Sequence, residues 1–99
     1  MRSAWLVAAA LIALPNDASS QDPVRGRNLA AACATCHGTE GRSAGGNESL
    51  AGMRAAELVK KLQEFRSGAK PATVMLQISR GYSDAEMDAI AAYFAEQRR

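Results

Sequence analysis

Apolar residues recur at helical spacing along most of the chain, and no stretch sustains the period-two alternation of a half-buried strand. Between residues 54 and 67, Leu58, Leu62 and Phe65 share a face opposite Lys60, Lys61 and Glu64, and Gly68 stands where a left-handed residue closes a helix. Near the end of the chain Met87, Ile90, Ala91 and Phe94 form another stripe. Ser83-Asp84-Ala85-Glu86 precedes it as a capping box, with Ser83 at N-cap and Glu86 at N3. Asp22 followed by Pro23 predicts a further helix start, aspartate at N-cap and proline at N1. That helix should run to about Ala34, with Gly26, Leu29, Ala30 and Cys33 on one face. A short helical stretch after Lys70-Pro71 would hold Val74, Met75 and Ile78 before Gly81 stops it. From Gly38 to Gly52, glycines mix with Thr, Ser and Asn, which is the composition of a loop. The pattern predicts an all-α domain.

The first residues follow a different logic. Arg2 precedes an unbroken apolar run, Ala4 to Leu14, which Pro15-Asn16-Asp17 ends; Ala18 and Ser20 then have the small-residue spacing of a signal-peptidase site. The expected division is a signal peptide over 1–20 and a mature domain over 21–99, with cleavage after Ala18 as the alternative. Export to a bacterial periplasm follows. The run is too short for the ~20 residues of a membrane span, and no later stretch approaches that length. The mature form is expected not to span a membrane.

Removing the leader leaves roughly 80 residues, a size at which a side-chain core is marginal and a cofactor, metal or disulfide supplies what is missing. The formal net charge of +2 is too small for a nucleic-acid binder, and the basic residues are not interleaved with aromatics.

Cys33-Ala34-Thr35-Cys36-His37 carries the chemistry. Cys-x-x-Cys-His is the attachment signal of haem c. Two thiols separated by two residues can add to the two vinyl groups of one porphyrin from a single helical turn. The adjacent histidine then reaches the iron as its proximal ligand. A thioredoxin-like dithiol needs a βαβ setting that the pattern lacks. Zinc would find only three such ligands here. A disulfide closing so short a loop would contribute little and would leave His37 unexplained.

His37 is the only histidine, so a second histidine ligand from this chain is excluded. Methionine is the remaining strong donor for the sixth position, and its thioether raises the haem potential. Met75 lies beyond Pro71 in a segment able to return over the open haem face. Met53, at a helix start, and Met87, on an apolar stripe, are alternatives better suited to core filling. An iron with no protein sixth ligand also stays open.

The haem motif with Gly38 after a glycine-bearing helix, Leu50-Ala51-Gly52, the helix around Leu58-Val59-Lys60-Lys61-Leu62, and Tyr82-Ser83-Asp84 leading to Ala92-Tyr93-Phe94 together resemble class I cytochrome c. The stretches Phe65–Gly68, Ala72–Met75 and Gly81–Ser83 are most similar to the haem subunit of flavocytochrome c sulfide dehydrogenase and to related dihaem periplasmic cytochromes. The resemblance implies three to five helices wrapped around one haem, Met75 as sixth ligand, and a contact between Gly26 and Tyr93, or Phe94, joining the first and last helices. It also implies a loop carbonyl that accepts the second ring N–H of His37. Relatives carry prolines in that loop, whereas this chain has none between Pro23 and Pro71, so a carbonyl of the Gly41–Ser49 loop should take the role.

The implied work is outer-sphere electron transfer with no catalytic residue. The partner is a redox protein, either a flavoprotein sulfide dehydrogenase or the complexes served by a freely diffusing carrier. From Gly52 to Gly81 the chain has six basic residues and only two acidic ones, Glu57 and Glu64, which makes this segment a candidate docking surface for an acidic partner. The covalent cofactor has a direct test. Peroxidase activity should stay with the chain on a denaturing gel, its mass should exceed the polypeptide by one haem, and acid-acetone should extract none.

Overall fold

The structure, a computed structural model, describes residues 22–99 and, ahead of them, Ser3 alone. The expected signal peptide over 1–20 therefore lies, but for Ser3, outside the described residues. Among the described residues every regular element is helical, and no helix is long and apolar enough to cross a membrane.

Asp22 starts the first helix as its sequence requires. Its Oδ1 accepts a hydrogen bond from the Val24 N–H at 3.0 Å, and Pro23 occupies the first turn, where a missing N–H costs nothing. Helix α1, Pro23–His37, continues past the expected end at Ala34 and takes in the whole Cys33–His37 motif. No residue from Cys33 to His37 breaks a helix. The first to leave it is Gly38, at φ 89°, whose N–H still bonds the Ala34 carbonyl at 3.0 Å.

The loop that follows contains a single 3-10 turn, Thr39–Gly41. It folds back under the last helix because Gly41 lacks a side chain: a Cβ there would lie 2.7 Å from a ring carbon of Phe94. The Gly41 carbonyl accepts from the Leu50 and Ala51 N–H groups at 2.8 and 3.1 Å, which closes the base of the loop.

Helix α2, Ala55–Ser67, ends at Gly68 in the left-handed conformation, and α3, Val74–Arg80, is the short helix expected after Pro71. Helix α4, Asp84–Ala95, opens on the complete capping box: Ser83 Oγ accepts from the Glu86 N–H at 3.1 Å, and Glu86 Oε1 accepts from the Ser83 N–H at 3.0 Å. These bonds from Ser83, its backbone N–H first, hold the Glu86 carboxyl below its usual range. The box therefore stabilises α4 at pH values above the ordinary carboxylate pKa, and that contribution fades as pH falls through the lower folded-state value.

Helices α1 and α4 cross at Gly26, where a Cβ would stand 2.7 Å from the Ala89 carbonyl oxygen and 3.2 Å from Tyr93 Cβ. The implied glycine–aromatic contact is thus made with Tyr93. Phe94 turns instead onto Gly41 and meets Tyr93 edge-on, with ring centroids 5.2 Å apart. Helix α2 packs against both α3 and α4. The core gathers Met87, Ile90, Ala91 and Phe94 from α4 against Leu58 and Leu62 of α2, with Leu50 and Met53 from the segment between. Arg66 of α2 clamps the α3–α4 corner, donating to the Tyr82 carbonyl and pairing with the Asp84 carboxylate.

Gly26→Ala drives a methyl group against the Ala89 carbonyl at the crossing. It should cost about 1–3 kcal/mol of stability, the range for overpacking a tight contact, read as a lower denaturant midpoint of the haem-bound protein.

Candidate functional site

The last turn of α1 brings Cys33, Cys36 and His37 to one wall of a cavity of about 390 Å³. Leu58, Leu62 and Phe65 of α2 form another wall; Val74, Met75 and Ile78 of α3 reach it too, and Leu50 and Ile90 complete the apolar lining. Polar groups are few: Asn47, Glu48 and Lys61. A hollow lined by aliphatic and aromatic side chains, with two thiols and an imidazole in one place, fits a large planar apolar cofactor held by covalent bonds and one ring nitrogen. Cys33 is half-buried, and burial pushes its thiol pKa up; Cys36 is exposed.

The imidazole of His37 is oriented from the loop. Its Nδ1 lies 2.6 Å from the Glu48 carbonyl oxygen. A carbonyl can only accept, so Nδ1 is the donor of this bond and Nε2 is the ring nitrogen left to meet a metal. The carbonyl sought within Gly41–Ser49 is therefore that of Glu48. The neighbouring Asn47 ties the same loop to the helix end, its Nδ2 donating to the Cys36 carbonyl at 2.9 Å.

Lys61 departs from its expected place on the solvent face of α2. It turns inward and sets Nζ 2.7 Å from Glu48 Oε1 and 3.7 Å from Glu57 Oε1, with its side chain 23% exposed. The bond to Glu48 is the main cause that raises the Lys61 pKa. Asn47, Glu48 and Lys61 escape a reading by periodicity, because two lie in an irregular loop and the third occupies a nominally polar helix position. The missing proline was the one signal that pointed to this loop.

The three candidate methionines separate clearly. Met75 lines the cavity together with Cys33, Cys36 and His37. Met53 is buried and borders a different hollow, beside Arg42, Glu57 and Arg99. Met87 is wholly buried in the core and does not line the cavity.

The fold and the site define a class: an all-α domain built around covalently bound haem c, whose work is electron transfer. The chain belongs to the cytochrome c family, whose model matches residues 23–97, and within it to the class I cytochromes, with Cys33 and Cys36 fitting the attachment motif. It is 44% identical over 92 residues to the thiosulfate dehydrogenase electron acceptor of Stutzerimonas stutzeri strain A1501, an alignment covering 87% of this chain and 43% of that protein. It is 37% identical over 70 residues to the cytochrome subunit of sulfide dehydrogenase of Chlorobaculum tepidum, covering 71% of this chain and 64% of that one. The chain thus spans less than two thirds of the length of these two relatives. With cytochrome c-553 of Nitratidesulfovibrio vulgaris it shares 31% identity over 101 residues, covering 97% of this chain and 99% of the relative.

Met53→Ala and Met87→Ala should each lower stability by about 2–5 kcal/mol, the usual loss for a buried methionine, and leave the visible spectrum of the haem unchanged. Denaturant unfolding and absorption spectra of the two variants check this.

Proposed function

We propose that this chain is a periplasmic electron acceptor for a dehydrogenase that oxidises a reduced sulfur compound, with residues 1–20 serving as its export signal. Cys33 and Cys36 hold the haem, His37 is the proximal iron ligand and Met75 the distal one. The observation that carries the ligand assignment is that α1 and α3 deliver the only histidine and one methionine to a single cavity, while Met53 and Met87 are committed elsewhere. When bound, the haem supplies a ferric–ferrous couple that exchanges one electron without binding substrate or proton. The polypeptide does the rest: the apolar lining excludes water, Glu48 orients His37, and the α2–α3 packing keeps Met75 in reach. A dry, pre-shaped site lets both oxidation states use nearly the same structure.

The partner reading is supported by the two relatives whose names connect them to thiosulfate and sulfide dehydrogenases. A flavoprotein subunit is the donor we favour. Val74, 61% exposed, lies at the cavity mouth, and Lys70 sits over the Phe65 ring that lines it, 5.1 Å from the centroid. An apolar contact flanked by positive charge suits an acidic docking face. The end-to-end match to a cytochrome c-553 supports a second reading, a freely diffusing carrier between respiratory complexes.

In the ferric protein, Met75→Ala should abolish the weak long-wavelength band of sulfur ligation, lower the potential and open the iron to cyanide. Retention of the band in Met75→Ala and its loss in Met53→Ala would overturn the ligand assignment. For the partner, stopped-flow reduction by a purified thiosulfate or sulfide dehydrogenase should be fast and should slow as salt rises. Reduction by that enzyme no faster than by an unrelated flavoprotein would favour the free carrier.

A further inference from the structure

The Glu48 carbonyl that orients His37 belongs to an exposed loop with little stiffness of its own. Residues 43–49 include Gly45 and Gly46, both at positive φ with no atom near enough to touch an added Cβ, and contain no proline. Among the described residues, the bonds within this stretch are local: the Asn47 N–H to the Gly45 carbonyl, the Ser43 N–H to Ser49 Oγ, and Ser43 Oγ with the Gly45 N–H and carbonyl. None of these reaches the body of the fold. Two contacts do. Asn47 donates to the Cys36 carbonyl, and the Glu48 side chain pairs with Lys61 on α2 at 2.7 Å.

Lys61 is the better anchored member of that pair. Its side chain is 23% exposed against 53% for Glu48, and Glu57, one turn earlier on α2, approaches the same Nζ. The ammonium is thus held over helix α2, and the more exposed loop residue pairs with it. From α2 the contacts run through Lys61 Nζ to the Glu48 carboxylate, and from the backbone carbonyl of the same residue to His37 Nδ1.

We infer that Lys61, acting through Glu48, is a positioning residue for the proximal histidine: the ion pair fixes the loop carbonyl that sets the hydrogen bond on Nδ1. The inference rests on the reading of His37 as the iron ligand. An imidazole whose outer N–H is firmly held is a more basic and better oriented ligand, so loosening that bond weakens its hold on the metal. Lys61 touches neither the iron nor the thioethers. Its effect passes through one carbonyl.

The test uses the haem-bound ferric protein and reads the solvent exchange of the paramagnetically shifted His37 Nδ1 proton, alongside the midpoint potential. Lys61→Met and Glu48→Gln should each speed that exchange about three- to fivefold, as befits a partly exposed ion pair. The double variant should exchange no faster than the faster single one. Lys61→Arg, which keeps a cation within reach of Glu48, should restore slow exchange. A purely electrostatic role predicts another pattern. Deleting a positive and a negative charge near the haem would move the potential in opposite directions and leave exchange unaltered, and that result overturns the inference. If the wild-type protein shows no paramagnetically shifted His37 proton, it is the ligand reading that fails.

Discussion

The crossing of α1 over α4 at Gly26 is the contact on which the rest of the structure depends. Two helix backbones can come this close only where one of them has no Cβ, and the Ala89 carbonyl occupies the space a side chain would need. The crossing joins the beginning of the domain to its end and fixes the direction of α1. The Cys33–His37 turn lies at the far end of that helix, so its position over the cavity is a consequence of the same contact. Tyr93 covers the crossing, and Phe94, stacked edge-on against it, reaches Gly41 and pins the returning loop. One glycine on each side of α4 thus admits a backbone that a larger residue would push away.

Around this frame the core is divided. Met87, Ala91 and Phe94 are closed off from solvent, whereas Phe65, Val74, Met75 and Ile78 line a hollow with little packed opposite them. A domain of this size gains little from its closed part alone. The haem completes the core, so cofactor attachment and folding are coupled. This also explains why α3 can be short: it packs on α2, its end is held by the Arg66 clamp at Tyr82 and Asp84, and the cofactor supplies the other surface.

The polar groups of the site cluster beside one residue, His37. Asn47, Glu48 and Lys61 converge on the histidine side of the cavity, while apolar residues surround Met75. His37 is held by a hydrogen bond and Met75 by packing alone. The chemistry of the donors accounts for the difference: an imidazole has a second nitrogen through which it can be oriented, and a thioether has none.

Much of this was legible in the chain. Helix starts and stops depend on a few neighbouring residues, so Asp22-Pro23, Gly68 and the Ser83–Glu86 box predicted three of the four helices closely. The haem motif was equally plain, because attachment needs two thiols and an imidazole within one turn of the same segment. Helix α1 runs past its expected end at Ala34, because nothing within the motif breaks a helix and only Gly38 does. Tertiary structure alone decided which methionine shares the cavity, which carbonyl meets His37, and that Lys61 turns inward. Each of these joins residues distant along the chain through distances and directions that no local pattern encodes. Sequence by itself determined the elements and the cofactor, because both follow from short-range chemistry. The surroundings of His37 and Met75 followed only from how the helices pack.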